Sequence, residues 1–169
     1  MIAVAMKLDS KGPVFFRQER IGIDGRKFLM LKFRSMTVGA EKFDEGAGLG
    51  IPNDPRQTRI GTILRSASLD ELPQLINVIR GEMSLVGPRP ERPYFVDQFK
   101  RLVPKYLDRH RVKTGMTGLA QVNGFRGDSS LEERIKCDIY YIENWSLWLD
   151  AKILLQTIRT VFSPTKSAE

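Results

Sequence analysis

The chain has 169 residues, of which 41% are hydrophobic and 28% charged, and its 27 Lys and Arg against 20 Asp and Glu give a net charge of +7. These values are those of one globular domain large enough to bury a core, and they exclude a low-complexity chain. A single cysteine, Cys137, excludes an intrachain disulfide, and a single histidine, His110, excludes a histidine-rich metal site.

The first residues are apolar but few. No run of the chain reaches the roughly 18–20 apolar residues that a membrane-spanning helix needs. Met1–Met6 is apolar and ends abruptly at Lys7, too short for a signal peptide and without its basic beginning. We interpret residues 1–7 either as the end of a longer apolar helix or as an ordinary first element.

The next segment predicts a β-hairpin. Val14–Phe16 is β-branched and aromatic, and Asp24-Gly25 is a strong short signal for a turn between two strands. Phe28–Met36 then predicts the returning strand.

Alternation along the returning strand separates its apolar and charged residues. Because side chains point to opposite faces in turn, we expect Leu29, Leu31 and Phe33 on a buried face. Lys32 and Arg34 then lie side by side on the other face. Such a pair of cations is either solvated or forms a phosphate clamp on a rigid element.

Residues 44–59 predict a long loop. They contain three glycines and two prolines and little apolar content. Loops of this length in a compact domain are usually functional or disordered, so this segment is a candidate lid over a site.

Apolar periodicity and start signals predict helices over most of the remaining chain. Proline favours helix starts at Pro93 and Pro104. The predicted helical segments are 60–67, 68–81, 93–102, 104–112, 131–142 and 147–162. The expected fold class is therefore α+β: a helix-dominated single domain over 1–169, with a small N-terminal β-hairpin or sheet and surface-lying amphipathic helices.

Two clusters of side chains leave their role open. Aromatic residues gather at the start of the last predicted helix and pack either in the core, which is the default, or in a membrane-interface belt; they are Tyr140, Tyr141, Trp145 and Trp148. The segment 89–113 carries eight Lys and Arg against three acidic residues, a net +5. It could be a solvated basic helix, or it could meet nucleic acid, acidic lipid or a polyphosphate.

The run Ser68–Gln74 places two adjacent carboxylates, Asp70 and Glu71, at a predicted helix start. In a structural interpretation, Ser68 and Glu71 form a capping box and Asp70 complements the helix dipole. In a functional interpretation, the dipole and Arg65 hold Asp70 ionised as a nucleophile for phosphorus, which forms an acyl phosphate.

An attack on a diphosphate requires that its negative charge be neutralised. The cations Lys32, Arg34, Arg65 and Arg89 could do this, with Mg²⁺ bridging a carboxylate and phosphate oxygens. The residues alone do not decide between the cap and the nucleophile.

Four motifs in order resemble a known family, and they are Lys32–Met36, Ser68–Gln74, Gly81–Pro90 and Thr117–Gly124. With them, the chain from Leu8 to about Phe162 closely resembles the bacterial sugar transferases, the monotopic polyprenyl-phosphate phosphoglycosyltransferases. The family carries a membrane-inserted helix before Leu8, of which residues 1–7 would be the remnant.

The resemblance implies an enzyme that moves a sugar 1-phosphate from a UDP-sugar to undecaprenyl phosphate and releases UMP. The implied partners are these two substrates and a membrane surface, without nucleic acid, at the cytoplasmic face of the bacterial inner membrane. The product would initiate a polysaccharide or glycan. The segment 138–150 resembles the hexose-1-phosphate branch of the family.

The resemblance also implies roles for single residues. Asp70 matches the nucleophile that forms a covalent phosphosugar intermediate, and Glu71 matches its partner in the Asp-Glu dyad. Mg²⁺ is expected on Asp70, and Glu71 is a second candidate ligand. The expected phosphate-binding residues are Lys32, Arg34, Arg65 and Arg89. The alternative from another class is a non-catalytic module that binds an anionic membrane or nucleic acid through residues 89–113.

Overall fold

The computed structural model describes residues 1–40, 54–125 and 130–162. Most of the predicted loop 44–59 lies outside the described residues. In chain order the helices are α1 (Ile2–Asp9), α2 (Arg59–Ser66), α3 (Gln74–Ile79), α4 (Pro93–Leu102), α5 (Leu119–Val122), α6 (Leu131–Glu143) and α7 (Leu147–Phe162). The strands are β1 (Phe15–Ile21), β2 (Lys27–Phe33), β3 (Ser84–Val86) and β4 (Gly115–Thr117).

The α+β fold class is confirmed. Helices dominate, β1 and β2 form an antiparallel hairpin, and β3 and β4 form a second, parallel two-stranded sheet. The predicted helices at 60–67, 93–102, 131–142 and 147–162 are present within one or two residues. The predicted helix 104–112 is wrong in type. Lys105 adopts a left-handed conformation (φ 61°), and a 3-10 helix follows over Tyr106–Arg111.

The hairpin confirms the predicted turn at Asp24-Gly25, with Phe16 opposite Lys32 and Ile21 opposite Lys27. The predicted burial of Leu29 is wrong, because its side chain is 53% exposed, whereas Met30 and Leu31 are buried. Leu29 lies nearer the turn than Leu31, and the neighbouring elements do not cover it. Burial along this strand is therefore set by what packs against it as well as by alternation.

One buried side chain attaches α3 to the hairpin. Asn77 is 0% exposed, and its Oδ1 accepts from the Leu31 amide at 3.0 Å. Its Nδ2 donates to the Leu29 carbonyl at 2.9 Å and to Glu82 Oε2 at 2.6 Å. The amide group thus bonds the β2 backbone as a neighbouring strand would, which fixes α3 beside Lys32.

Replacing Asn77 by alanine is expected to lower the free energy of unfolding by about 3 kcal/mol, because buried backbone groups of β2 lose their partners. Urea unfolding at neutral pH measures this. Asn144→Ala is a matched control, since Asn144 is exposed and its side chain donates to the Tyr140 carbonyl at the end of α6. Equal losses in the two variants would contradict the role assigned to Asn77.

The second sheet forms where two chain segments approach very closely. Ser84 pairs with Gly115 and Val86 with Thr117. A Cβ at Gly115 would lie 2.2 Å from the Gly87 nitrogen, so only glycine fits there. This sheet directs the chain out of β3 and into the turn that carries Arg89.

The core has two apolar clusters with buried charges beside them. One cluster centres on Ile21, Val96, Tyr106 and Ile135, and the other on Val86, Tyr141 and Ile153. We define the buried ionic cluster as Glu91, Arg109, Arg134 and Asp138, all of them buried. Arg109 pairs with Asp138 at 2.8 Å, and Arg134 pairs with Glu91 at 2.8 Å.

The aromatic group before α7 is divided between core and surface. Tyr141 is buried, and its hydroxyl lies 2.8 Å from Asp150 Oδ1. Tyr140, Trp145 and Trp148 are exposed, Trp148 by 78%, so the default expectation of a core cluster holds only for Tyr141. None of the helices in the described part of the chain is both long and apolar enough to cross a membrane.

Candidate active site

The Asp-Glu pair lies on a short turn between two helices. Ser68 is left-handed (φ 54°, ψ 18°), and a 3-10 helix follows over Leu69–Glu71. Pro73, which has no amide hydrogen to donate, stands immediately before the first residue of α3. A single helix over 68–81 is therefore wrong, because the segment forms a 3-10 turn and a separate helix α3, with Pro73 immediately before α3.

The predicted capping box is also wrong. The Ser68 side chain makes no capping hydrogen bond, and the amide of Glu71 instead bonds the Ser68 carbonyl at 3.4 Å. The turn has only three residues, so Asp70 does not lie at the start of an α-helix. A helix dipole consequently does not account for the charge state of Asp70.

Glu71 is engaged by two cations. Its Oε1 accepts from Lys32 Nζ at 2.7 Å and from Arg89 Nη2 at 3.0 Å. Burial opposes the negative charge, but the cations of Arg89 and Lys32 hold the pKa of Glu71 far below its usual range. The carboxylate thus joins β2, the 3-10 turn and the segment after β3.

The same contacts act on the two cations. Burial lowers the pKa of Lys32, and the nearby Glu71 carboxylate opposes that shift. The Glu71 carboxylate raises the pKa of Arg89. Glu71 therefore organises two of the predicted phosphate-binding residues.

Replacing Glu71 by glutamine is expected to destabilise the fold by about 2 kcal/mol at pH 7. A carboxyl group with a depressed pKa stabilises the fold above its ordinary pKa and loses that effect as pH falls. The difference between wild type and variant should therefore shrink as pH falls through and below the usual glutamate range. Urea unfolding at pH 7 and at pH 4 measures this.

Glu133→Gln is the matched control, because Glu133 pairs with Lys136 on the exposed face of α6. An exposed pair contributes little, so its loss should be within about 0.5 kcal/mol. A Glu71 variant as stable as this control at pH 7 would contradict the organising role.

Asp70 has a different environment from its neighbour. It is 9% exposed and lines a cavity of about 310 Å³. Burial raises the pKa of Asp70, and the charge of Glu71 adds to this, while Lys32, Arg65 and Arg89 oppose it. Among the described residues none donates a hydrogen bond to this carboxylate, which leaves its oxygens available to a ligand.

The structure separates the predicted cations by role. Lys32, Arg34 and Arg65 line the cavity with Asp70, whereas Arg89 contacts Glu71 and is not part of the lining. The guanidinium of Arg34 is buried and donates to three backbone carbonyls, those of Ser10, Lys11 and Pro13, at 2.8–3.1 Å. Arg34 therefore holds the segment before β1, because each of its three guanidinium nitrogens donates to the backbone there.

Two further arginines, Arg20 and Arg92, line the cavity. Neither was predicted as a site residue from the sequence. The alternation of side chains along the hairpin could have identified Arg20. Phe16 lies opposite Lys32 in the hairpin, so Phe16, Gln18 and Arg20 project from the same face as Lys32. For Arg92 we find no local signal, since the fold of the segment after β3 brings it to the cavity.

The carboxylates of the site set a limit on metal binding. In the residues that the structure describes, no group of three or more His, Cys, Asp and Glu is arranged to hold a metal ion. Mg²⁺ commonly binds through one or two carboxylates together with substrate phosphates, so the open carboxylate of Asp70 fits such a site. Glu71 fits it less well, because its Oε1 is already shared by Lys32 and Arg89.

The basic segment 89–113 does not form one continuous basic face. Arg109 is 1% exposed and pairs with Asp138, and Arg89 pairs with Glu71. Lys100 pairs with Asp97 inside the segment. Several of the charges thus have acidic partners in the fold, which weakens the interpretation as a module for nucleic acid.

A buried carboxylate facing a cavity lined by cations is a site suited to an anionic ligand. The chain belongs to the bacterial sugar transferase family, whose model matches residues 1–164.

Curated relatives share about half of their aligned residues with this chain. It is 49% identical over 162 residues to the UDP-glucose:undecaprenyl-phosphate glucose-1-phosphate transferase of Klebsiella pneumoniae, covering 94% of this chain and 34% of the relative. It is 49% identical over 164 residues to the UDP-N-acetylgalactosamine-undecaprenyl-phosphate N-acetylgalactosaminephosphotransferase of Aeromonas hydrophila, covering 95% and 38%. The UDP-galactose-lipid carrier transferase of Erwinia amylovora is 45% identical over 174 residues, covering 95% and 36%.

The chain thus spans about a third of the length of these relatives. Their names differ in the sugar, although their identities to this chain are nearly equal. Overall similarity therefore does not distinguish one sugar from another.

Proposed function

We propose that this chain is the catalytic domain of a phosphoglycosyltransferase that moves a sugar 1-phosphate, of the hexose type, from a UDP-sugar to undecaprenyl phosphate. The observation that carries the proposal is the buried, open carboxylate of Asp70 in a cavity lined by Lys32 and Arg65. The relatives are named for sugar-phosphate transfer to undecaprenyl phosphate, which supports the same chemistry.

The proposed reaction has two displacements at one phosphorus atom. In the first, an Asp70 carboxylate oxygen bonds to the phosphorus that carries the sugar, and the bond from this phosphorus to the bridging oxygen breaks. The electron pair leaves with that oxygen on UMP, and an aspartyl-phosphosugar remains. In the second, a phosphate oxygen of undecaprenyl phosphate bonds to the same phosphorus, and the Asp70 carboxylate leaves.

The residues of the site would support these steps in different ways. Lys32 and Arg65 would reduce the repulsion between the Asp70 carboxylate and the diphosphate. Glu71 would keep Lys32 and Arg89 in place rather than react. Mg²⁺ would be held by Asp70 together with substrate phosphates, and when bound it would supply further neutralisation of phosphate charge.

Exposed apolar side chains near Asp70 support a membrane-surface location. Leu69 and Leu72 flank the Asp-Glu pair and are partly exposed, and Ile79 on α3 is 85% exposed. A polyprenyl acceptor lies in a membrane, so an apolar surface beside the nucleophile would bring the two together. We propose that this face meets the cytoplasmic surface of the bacterial inner membrane and that the product begins a polysaccharide or glycan.

The proposal is tested by mixing the protein with Mg²⁺ and, in separate samples, UDP-glucose, UDP-galactose and UDP-N-acetylgalactosamine. Intact-protein mass should rise by the mass of one sugar phosphate with the correct donor, and UMP should appear. Adding undecaprenyl phosphate in detergent should discharge the adduct. Release of UMP with sugar phosphate passing to water rather than to the acceptor would instead indicate a hydrolase.

A further inference from the structure

The cavity beside Asp70 has more positive charge than its carboxylates balance. Among the described residues that line it, Asp70 is the one carboxylate, whereas the cations are Arg20, Lys32, Arg34, Arg65 and Arg92. Glu71 pairs with Lys32 and Glu91 with Arg20, both from outside the lining. An anionic ligand with more than one charged group would balance the remainder.

Arg92 is a cation without an acidic partner in the described part of the chain. It immediately precedes α4, and its guanidinium carbon lies 5.7 Å from the centre of the Phe95 ring. Stacking on an aromatic ring orients a guanidinium while leaving its hydrogen-bond donors open. Arg92 therefore offers donors to the cavity.

Arg20 also lines the cavity, and hydrogen bonds hold its side chain in place. Its Nε and Nη2 donate to Gln18 Oε1 at 3.0 and 2.6 Å, and its Nη1 donates to the Pro90 carbonyl at 3.0 Å. Burial, together with the nearby charges of Arg89 and Arg92, lowers the pKa of Arg20 to about 10. An anion bound beside Arg20 and Arg92 would reduce the repulsion between their like charges.

The cations divide into two groups along the cavity. Lys32 contacts Glu71, the residue next to Asp70, whereas Arg92 is held on the Phe95 ring at the start of α4. A diphosphate likewise has two phosphate groups, of which Asp70 attacks only the one that carries the sugar. This correspondence rests on the proposed function.

We propose that Arg92, supported by Arg20, binds the phosphate that stays with the nucleotide and leaves as UMP. The negative charge on this phosphate grows as the bond to the bridging oxygen breaks, so a cation here stabilises the leaving group. Arg92 thus serves the first displacement and not the second, because UMP has departed before the lipid phosphate attacks.

The test compares Arg92→Gln with Arg101→Gln, which removes an exposed arginine of α4 outside the cavity lining. UMP affinity measured by calorimetry should weaken about tenfold in Arg92→Gln, corresponding to one lost charge-assisted phosphate contact, and stay within about twofold in Arg101→Gln. Uridine, which lacks the phosphate, should bind equally to both variants. UMP affinity unchanged by Arg92→Gln would overturn the proposal.

A kinetic comparison separates binding of the leaving group from a structural effect. In Arg92→Gln, formation of the protein-phosphosugar adduct should slow, whereas discharge of the preformed adduct to undecaprenyl phosphate should keep its rate. Arg92→Lys should restore part of the first rate. Equal slowing of both steps would overturn the assignment to the leaving phosphate.

The binding and kinetic outcomes also separate this inference from the proposed function. UMP binding that depends on Arg92, in a protein that forms no adduct with any UDP-sugar, would support the phosphate subsite and contradict the proposed transfer. Adduct formation with UMP affinity independent of Arg92 would support the transfer and overturn the subsite.

Discussion

Replacing Asp70 by asparagine is expected to lower the rate of UMP release by on the order of 10⁴-fold or more, because the amide cannot form the acyl phosphate. No sugar-phosphate adduct should be detected by intact mass. Asp97→Asn is the matched control, since Asp97 is exposed and pairs with Lys100 on α4. It should keep wild-type activity.

Asp70→Asn should not lower the free energy of unfolding. Burial raises the pKa of Asp70, so its ionised form disfavours the folded state at neutral pH. An uncharged amide removes this unfavourable contribution, and the free energy of unfolding should stay equal or rise. Loss of activity together with loss of stability would contradict the interpretation of Asp70 as a reactive group held at an energetic cost.

The second large effect is expected at the buried ionic cluster. Arg109 and Asp138 are almost fully buried and lie 2.8 Å apart, and Arg109 also donates to the Arg89 carbonyl at 2.8 Å. Replacing Arg109 by methionine leaves the Asp138 charge without its main partner. This should lower the free energy of unfolding by about 3–5 kcal/mol.

A double-mutant cycle tests the origin of this loss. Asp138→Leu alone should also be strongly destabilising, but Arg109→Met combined with Asp138→Leu should lose much less than the sum of the two. Arg111→Met, which removes an exposed arginine from the same 3-10 helix, is the control and should change stability by less than about 0.5 kcal/mol. Additive losses in the double variant would show that the two residues act independently.

Local signals in the sequence were sufficient for much of the fold. The hairpin follows from Asp24-Gly25 and alternating side chains, because a tight turn and its strands are set by neighbouring residues. The helices α4, α6 and α7 follow from apolar periodicity and start signals. The pairing of β3 with β4 could not be predicted, since each strand has three residues and the contact joins distant segments.

The sequence also predicts Asp70 and Glu71 as site residues, through the motifs that contain Lys32, Asp70 and Arg89. The electrostatic environment of this pair was not predicted correctly. The sequence suggested a helix cap and a dipole, whereas Ser68 makes no cap and Asp70 lies on a three-residue turn. Left-handed conformation at a serine has no reliable local signal, so this difference could not be foreseen.

The order of residues was enough to indicate an α+β fold and the sugar transferase family, and it predicts a carboxylate nucleophile among cations. The contacts that each of these groups makes depend on segments far apart in the chain. Glu71 contacts Lys32 and Arg89, Arg34 donates to backbone carbonyls, and Arg20 and Arg92 line the cavity as well. The sequence determines the charge and the hydrogen-bonding capacity of each side chain. Only the tertiary structure determines which partner each group meets, because those partners are distant in the chain.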